Sequence, residues 1–248
     1  MSAIDPALVR DVDLLCLDAG NTVVFLDHAR LARLCAREGF ETTAAALARA
    51  EGEAKYAHEQ ARLHELAWAH AGVAAAHGWG RTVGTILSLA GLAPQRVPAI
   101  LDSVWTDHCA RNLWSLVPEG FVEALDRARA TGVRVAVVSN SEGMLAALFE
   151  ELGILRVLDL VVDSGLGGVE KPDPRIFRIA LDRFGVPPAR ALHLGDNFAT
   201  DVLGARAAGV RVALVDPLGH LEGRHLDVPR VPGVVEVANA IAEARGAR

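Results

Sequence analysis

The sequence predicts an α/β fold, a doubly wound parallel sheet interrupted by an all-helical insertion. Three observations carry that expectation. Four short apolar runs are continuous rather than alternating, as strands covered on both faces read. Segments of helical spacing separate the later runs, the rhythm of βαβ crossovers. From about residue 27 to residue 112 the rhythm stops and only helical spacing remains. A chain of 248 residues that is 51% hydrophobic suits one large domain with a smaller one inserted, and is too apolar for a disordered chain.

The first strand is expected at Asp13–Leu17 (DLLCL). The insertion follows. Leu31, Leu34 and Cys35 form a short apolar stripe, and Val83, Ile86, Leu87 and Ala90 form another. Val97, Ile100, Leu101, Val104, Trp105 and His108 make a wide stripe at i, i+3, i+4, i+7, i+8 and i+11. Breaks near Gly39, at Gly78-Trp79-Gly80 and at Gly91–Pro94 divide it into four or more helices. The core then resumes, with helices at Glu119–Ala130, Glu142–Leu152, Pro174–Phe184 and Thr200–Ala208. Strands alternate with them at Val133–Val138, Ala191–Leu194 and Val210–Val215, with a weaker one at Leu158–Val162. The expected organisation is a Rossmann-like core at 1–26 and 113–248 with the helical domain at 27–112.

Charge and cysteine content exclude several classes. Lys+Arg 25 against Asp+Glu 31 gives a net charge of −6, which argues against nucleic acid or an anionic membrane as partner through overall charge. No apolar run reaches the roughly 18 residues of a membrane span, and the N-terminus lacks a basic segment followed by an apolar one, so a cytoplasmic location is expected. Cys16, Cys35 and Cys109 are odd in number and show no CxxC spacing, so neither a disulfide framework nor a zinc knuckle is indicated.

The chemistry gathers at strand ends, where open α/β sheets collect ligands. Asp18-Ala19-Gly20-Asn21-Thr22 leaves the first strand, and Ser139-Asn140-Ser141 leaves the second and leads into a helix. A hydroxyl, an amide and free backbone N–H groups there can cradle a phosphate, or simply cap the helix. Lys171, framed by Pro172 and Pro174, is one of only two lysines in a chain that otherwise uses arginine. That choice suits a task for a compact ammonium. Gly195-Asp196-Asn197-Phe198-Ala199-Thr200-Asp201 places two carboxylates five residues apart on another strand-to-helix loop. Oxygen ligands without His or Cys favour a hard cation such as Mg²⁺.

Each motif alone is weak, but the ordered set resembles the haloacid dehalogenase (HAD) superfamily of aspartate-nucleophile hydrolases. VVSN at Val137–Asn140, EKPDPRIF at Glu170–Phe177 and LHLGDNFATDVLGARAAGV at Leu192–Val210 look like that family's second to fourth motifs. The helical insertion is similar to the cap of its C1 subclass. The resemblance implies that Asp18 attacks phosphorus to form an aspartyl phosphate. It implies Mg²⁺ held by Asp18, the Gly20 carbonyl and Asp196, and phosphoryl oxygens held by Ser139, the Asn140 N–H and Lys171. Lys171 would also stabilise transition-state charge, with Asp201 orienting it or a metal-bound water.

One position departs from the family pattern. Its phosphatases carry a second Asp two residues after the nucleophile, as general acid and base, and here that residue is Gly20. Asn21 stands where a glycine is usual. The favoured reading is a Mg²⁺-dependent phosphatase of a small phosphorylated molecule, as monomer or homodimer. A phosphonoacetaldehyde-hydrolase-like enzyme cleaving a C–P bond, with Lys55 forming a Schiff base, is the second. A weak pseudo-hydrolase that binds a phosphorylated ligand or a protein partner is the third. A dehalogenase is disfavoured, because the aromatic expected after the nucleophile is absent.

Other features carry less. His58, His64 and His70 would point about 120° apart around a helix, so they make no zinc face. Trp68, Trp79, Trp105 and Trp114 read as packing residues, and Gly165, Gly167 and Gly168 lack the spacing of a dinucleotide loop.

Overall fold

The computed structural model describes residues 4–60, 68, 70 and 76–246. The chain forms two compact units, one of Met1–Phe25, Val117–Pro217 and Gly223–Arg248 and the other of Leu26–Leu116 with Leu218–Glu222. The strands are β1 (Leu14–Leu17), β2 (Phe25–Leu26), β3 (Trp114–Leu116), β4 (Arg134–Ser139), β5 (Leu160–Asp163), β6 (Ala191–Gly195), β7 (Arg211–Val215) and β8 (Arg230–Val231). Six of them form one sheet in the order β5-β4-β1-β6-β7-β8, every pair parallel. Leu14 lies opposite Arg134 on one side and Ala191 on the other. β1 and β6 are buried along their whole length, which is why their sequences run apolar without alternation.

From β1 the chain winds outward to β4 and β5, then returns across β1 to β6, β7 and β8. With right-handed crossovers this reversal places successive helices on opposite faces. In chain order the helices are α1 (Pro6–Val9), α2 (His28–Arg37), α3 (Ala44–Glu59), α4 (Ala76–Leu89), α5 (Val97–Ala110), α6 (Phe121–Ala130), α7 (Leu145–Glu151), α8 (Ser164–Gly167), α9 (Arg175–Phe184), α10 (Leu203–Ala207) and α11 (Val234–Gly246). α6 packs on α11. α9 lies so close to α10 that a side chain on Gly204 would sit 3.0 Å from Phe177.

The helical unit follows from its capping and its stripes. Asp27 caps α2 by accepting the Arg30 N–H (2.8 Å), and Thr43 caps α3 by accepting that of Ala46 (3.1 Å). The three sequence stripes are buried, except that Ala90 is only partly covered. Trp105 packs against Trp79 (ring centroids 4.9 Å) and His108 (5.5 Å), with Trp68 beside Trp79 and Trp114 beside His108. Gly80 admits this cluster, since a Cβ there would fall 1.9 Å from the Trp68 ring. His108 accepts the Leu113 N–H at Nδ1 (3.2 Å), and burial pulls its pKa down to about 4, helped by Arg30.

Several elements differ from the sequence expectation. Residues 113–116 and 218–222, assigned to the core, group with the helices. β3 pairs with β2, and Gly52 of α3, lacking a side chain, lies beside Leu218 and His220. The expected helix at Glu142 begins at Leu145, because Asp163 accepts the N–H groups of Gly143 (3.0 Å) and Leu145 (3.2 Å) and holds the preceding loop open. The expected helix from Thr200 is a π-helical turn at Phe198–Val202 followed by α10. α1, β2, β3, α8, β8 and α11 were not expected. No described helix is long and apolar enough to cross a membrane.

Candidate active site

The site lies at the switch point of the sheet, where the chain departs from β1 to β4 on one side and to β6 on the other. β1 delivers Asp18, whose backbone N–H still pairs with Leu194 of β6 (2.8 Å). The chain then turns tightly. The Ala19 carbonyl accepts from Val23 and Val24 (2.9 Å each), and Asn21 donates to Val24 (2.8 Å) at φ +54. This left-handed backbone explains why Asn21 can stand where glycine is usual, since Asn tolerates that region better than most residues.

Lys171 reaches the site from the loop after β5. Its backbone is clamped to the end of β4, with the Lys171 N–H donating to Asn140 Oδ1 (2.7 Å) and Asn140 Nδ2 donating to the Lys171 carbonyl (3.0 Å). The Asn140 side chain is therefore spent on holding this loop. The Lys171–Pro172 peptide is cis. Lys171 Nζ donates to Asp18 Oδ1 and to Asp201 Oδ1, both at 2.6 Å. Burial alone would lower the Lys171 pKa, but the charges and hydrogen bonds of the two aspartates outweigh it and hold the ammonium above the ordinary lysine range.

Asp201 is fully buried and fully committed. Its Oδ1 accepts from Lys171 and from His193 Nε2 (3.0 Å), and its Oδ2 accepts the Asn197 N–H (3.0 Å). Burial pushes its pKa up, yet the Lys171 charge and the His193 hydrogen bond prevail and keep it below the usual carboxylate range. Gly195 makes room for it, since a Cβ at 195 would lie 2.2 Å from Asp201 Cγ. Ser139 is buried at the end of β4. Thus Asp18, Lys171 and Asp201 are in direct contact, and Asp196 joins them closely.

One carboxylate oxygen each from Asp18, Asp196 and Asp201 lies within 4.8 Å of the others. Three carboxylates against one ammonium leave two net negative charges, and an all-oxygen set of that charge fits a hard divalent cation. Within this set both Asp201 oxygens already accept hydrogen bonds, from Lys171, His193 and Asn197. Among the described residues the histidines form no comparable cluster. His28 bonds Glu51 (2.7 Å), His58 and His70 lie apart from any such group, and His64 is outside the described residues. Lys55 is half-buried within α3, and its charge adds to the effect of burial in pulling the pKa of nearby His58 down.

Two titratable groups were not singled out from the sequence. His193 stands inside the apolar run ALHL, and a lone polar residue in a buried central strand was the available signal. Glu142, in the loop after β4, has its pKa pushed up to about 7 by burial, with the Asp163 charge adding to the rise.

Comparison with known proteins identifies the family. A family model described as haloacid dehalogenase-like hydrolase matches residues 12–209. The chain is 32% identical over 206 residues to the bovine (Bos taurus) haloacid dehalogenase-like hydrolase domain-containing protein 3, covering 82% of this chain and 81% of that one. It is 41% identical over 134 residues to a phosphoserine phosphatase of Thermus thermophilus, covering 52% of this chain and 51% of that one. In structure it is similar to a magnesium-bound HAD hydrolase of Bacillus subtilis, with a TM-score of 0.64 at 15% identity over 93% of this chain and 98% of that one. With its aspartate-bearing strand end, its clamped lysine and its carboxylate cluster inside the matched region, the chain belongs to the haloacid dehalogenase-like hydrolase family.

Proposed function

We propose that this hydrolase is a Mg²⁺-dependent phosphatase of a small phosphate ester. The observation that carries the reading is the Lys171 ammonium held at 2.6 Å from both Asp18 and Asp201 at the sheet's switch point. The similarity to a phosphoserine phosphatase supports it. In this reading Asp18 attacks phosphorus, the P–O bond to the leaving group breaks, and water hydrolyses the resulting aspartyl phosphate. Lys171 faces the negative charge that spreads over the phosphoryl oxygens, in a position fixed before the substrate arrives. Ser139 and the Asn140 N–H bind those oxygens. Mg²⁺, held by Asp18 and Asp196 with the Gly20 carbonyl, would supply the positive charge that lets two anions approach. Gly20 brings no proton to the leaving group, so substrates with good leaving groups should be favoured. The test is phosphate release across a panel of alkyl and aryl phosphates with and without Mg²⁺. Release that needs Mg²⁺ and vanishes in Asp18→Asn supports the reading, and release unchanged in that variant overturns it.

A further inference from the structure

His193 lies in the middle of β6, between Cys16 of β1 and Val212 of β7, with no part of it exposed. A buried imidazole in a central parallel strand is a poor choice for packing alone. A polar group away from water is unfavourable unless it is hydrogen-bonded, and His193 Nδ1 has no partner. The ring meets Phe177 edge-on at 4.9 Å, a contact an apolar side chain could also make. What an apolar side chain could not supply is the Nε2–H directed at Asp201 Oδ1 (3.0 Å). An ionised carboxylate only accepts, so the ring must donate through Nε2.

Of the three donors to Asp201, two are rigid: the Asn197 backbone N–H on Oδ2 and the His193 ring on Oδ1. The third is the Lys171 ammonium, carried on a flexible four-carbon stem. The two rigid donors fix the plane of the carboxylate, and the lysine settles against it. Through β6, which pairs on both edges, His193 ties that plane to the interior of the sheet. We propose that His193 is a positioning residue, whose hydrogen bond orients Asp201 and thereby holds the Lys171 ammonium against Asp18. The consequence for turnover rests on the phosphatase reading. The consequence for Lys171 does not.

The experiment uses the full chain labelled at the lysine side chains. Only Lys55 and Lys171 are present, so a Lys55→Arg spectrum assigns both signals. In the wild type the Lys171 ammonium hydrogens should exchange slowly with water. His193→Met keeps the bulk and removes the donor, and should speed that exchange at least about tenfold, the scale of one hydrogen bond to a charged group. His193→Gln, whose amide can reach the Nε2 position, should restore slow exchange. On p-nitrophenyl phosphate with Mg²⁺, kcat should fall about tenfold in the Met variant with KM unchanged, and recover in Gln. If His193→Met does not fold, His193→Asn replaces it, because its amide reaches only the Nδ1 position. Wild-type exchange in a folded Met variant, or equal exchange in Asn and Gln, overturns the proposal. A wild type with slow Lys171 exchange and no turnover on any phosphate ester overturns the phosphatase reading alone.

Discussion

Lys171 carries two short ion pairs on a buried side chain, and its replacement removes the positive charge that the aspartates surround. Lys171→Ala should lower turnover by about two to three orders of magnitude, the scale for losing a preorganised transition-state donor. Steady-state kinetics on a folded variant would check it, and unchanged turnover would remove lysine from the mechanism. Gly20 invites the opposite experiment. Gly20→Asp should raise hydrolysis of alkyl phosphates by about 10²-fold, because their leaving groups need a proton, and should barely change that of p-nitrophenyl phosphate. Parallel assays of the two substrates, after thermal melting has confirmed the fold, distinguish general acid catalysis from a general improvement. The meeting of Asp18, Lys171, Asp196 and Asp201 was legible, because three are carboxylates on strand-end loops and the fourth is a rare lysine between two prolines, and the ordered set counts for more than any one motif. His193 was not, since inside ALHL a single histidine looks like core until its neighbour across the turn is known.

Among the elements, the helical unit offers a measurable pH response. His108 of α5 sits between Trp79, Trp105 and Trp114 with its pKa lowered from 6.5 to about 4. The unfolded ring takes up its proton near pH 6.5 and the folded ring only near pH 4. The stabilisation is therefore complete above about pH 6.5 and is lost as pH falls toward 4, by up to about 3 kcal/mol. Urea denaturation followed by tryptophan fluorescence should show a lower midpoint at pH 5 than at pH 7.5. His108→Gln should flatten that difference, and an equal slope in both proteins would assign the response elsewhere. The stripes of α2, α4 and α5 were readable because burial on one helix face leaves a 3.6-residue period. The start of α7 was not, because a side chain eighteen residues further on, Asp163, decides where that helix begins. α11 carries the same kind of signal, with Val234, Val237, Ala238 and Ile241 buried, and could have been read.

For the whole molecule, the winding order does what no local motif can. It brings the ends of β1, β4 and β6, from three distant stretches of chain, to one place. The parallel sheet followed from continuous apolar runs alternating with helices. Its strand order did not, since sequence fixes neither which edge a strand joins nor the short β8. Three carboxylates and one ammonium at the switch point give a folded state that should gain from Mg²⁺. At a hundredfold excess over Kd the gain is about 2.7 kcal/mol, enough for a rise of several degrees in Tm. Thermal melting with Mg²⁺ should show it, a chelator should reverse it, and Asp18→Asn and Asp196→Asn should each blunt it. A full shift in both variants would place the ion elsewhere.

The contact between Gly195 and Asp201 also constrains the order in which the sequence can drift. With a Cβ at 195 only 2.2 Å from the Asp201 carboxyl carbon, any residue other than glycine must displace a side chain that has nowhere to go. Change at 195 is open only to a chain that has already given up the carboxylate at 201, while the reverse path stays open. The Asp201 Cβ would itself lie 2.7 Å away, so a library randomised at both positions and sorted for folded protein should return side chains at 195 chiefly where 201 has become glycine. The missing side chain at 195 thus works as a one-way gate, keeping the lysine's partner in place against the commonest single substitutions.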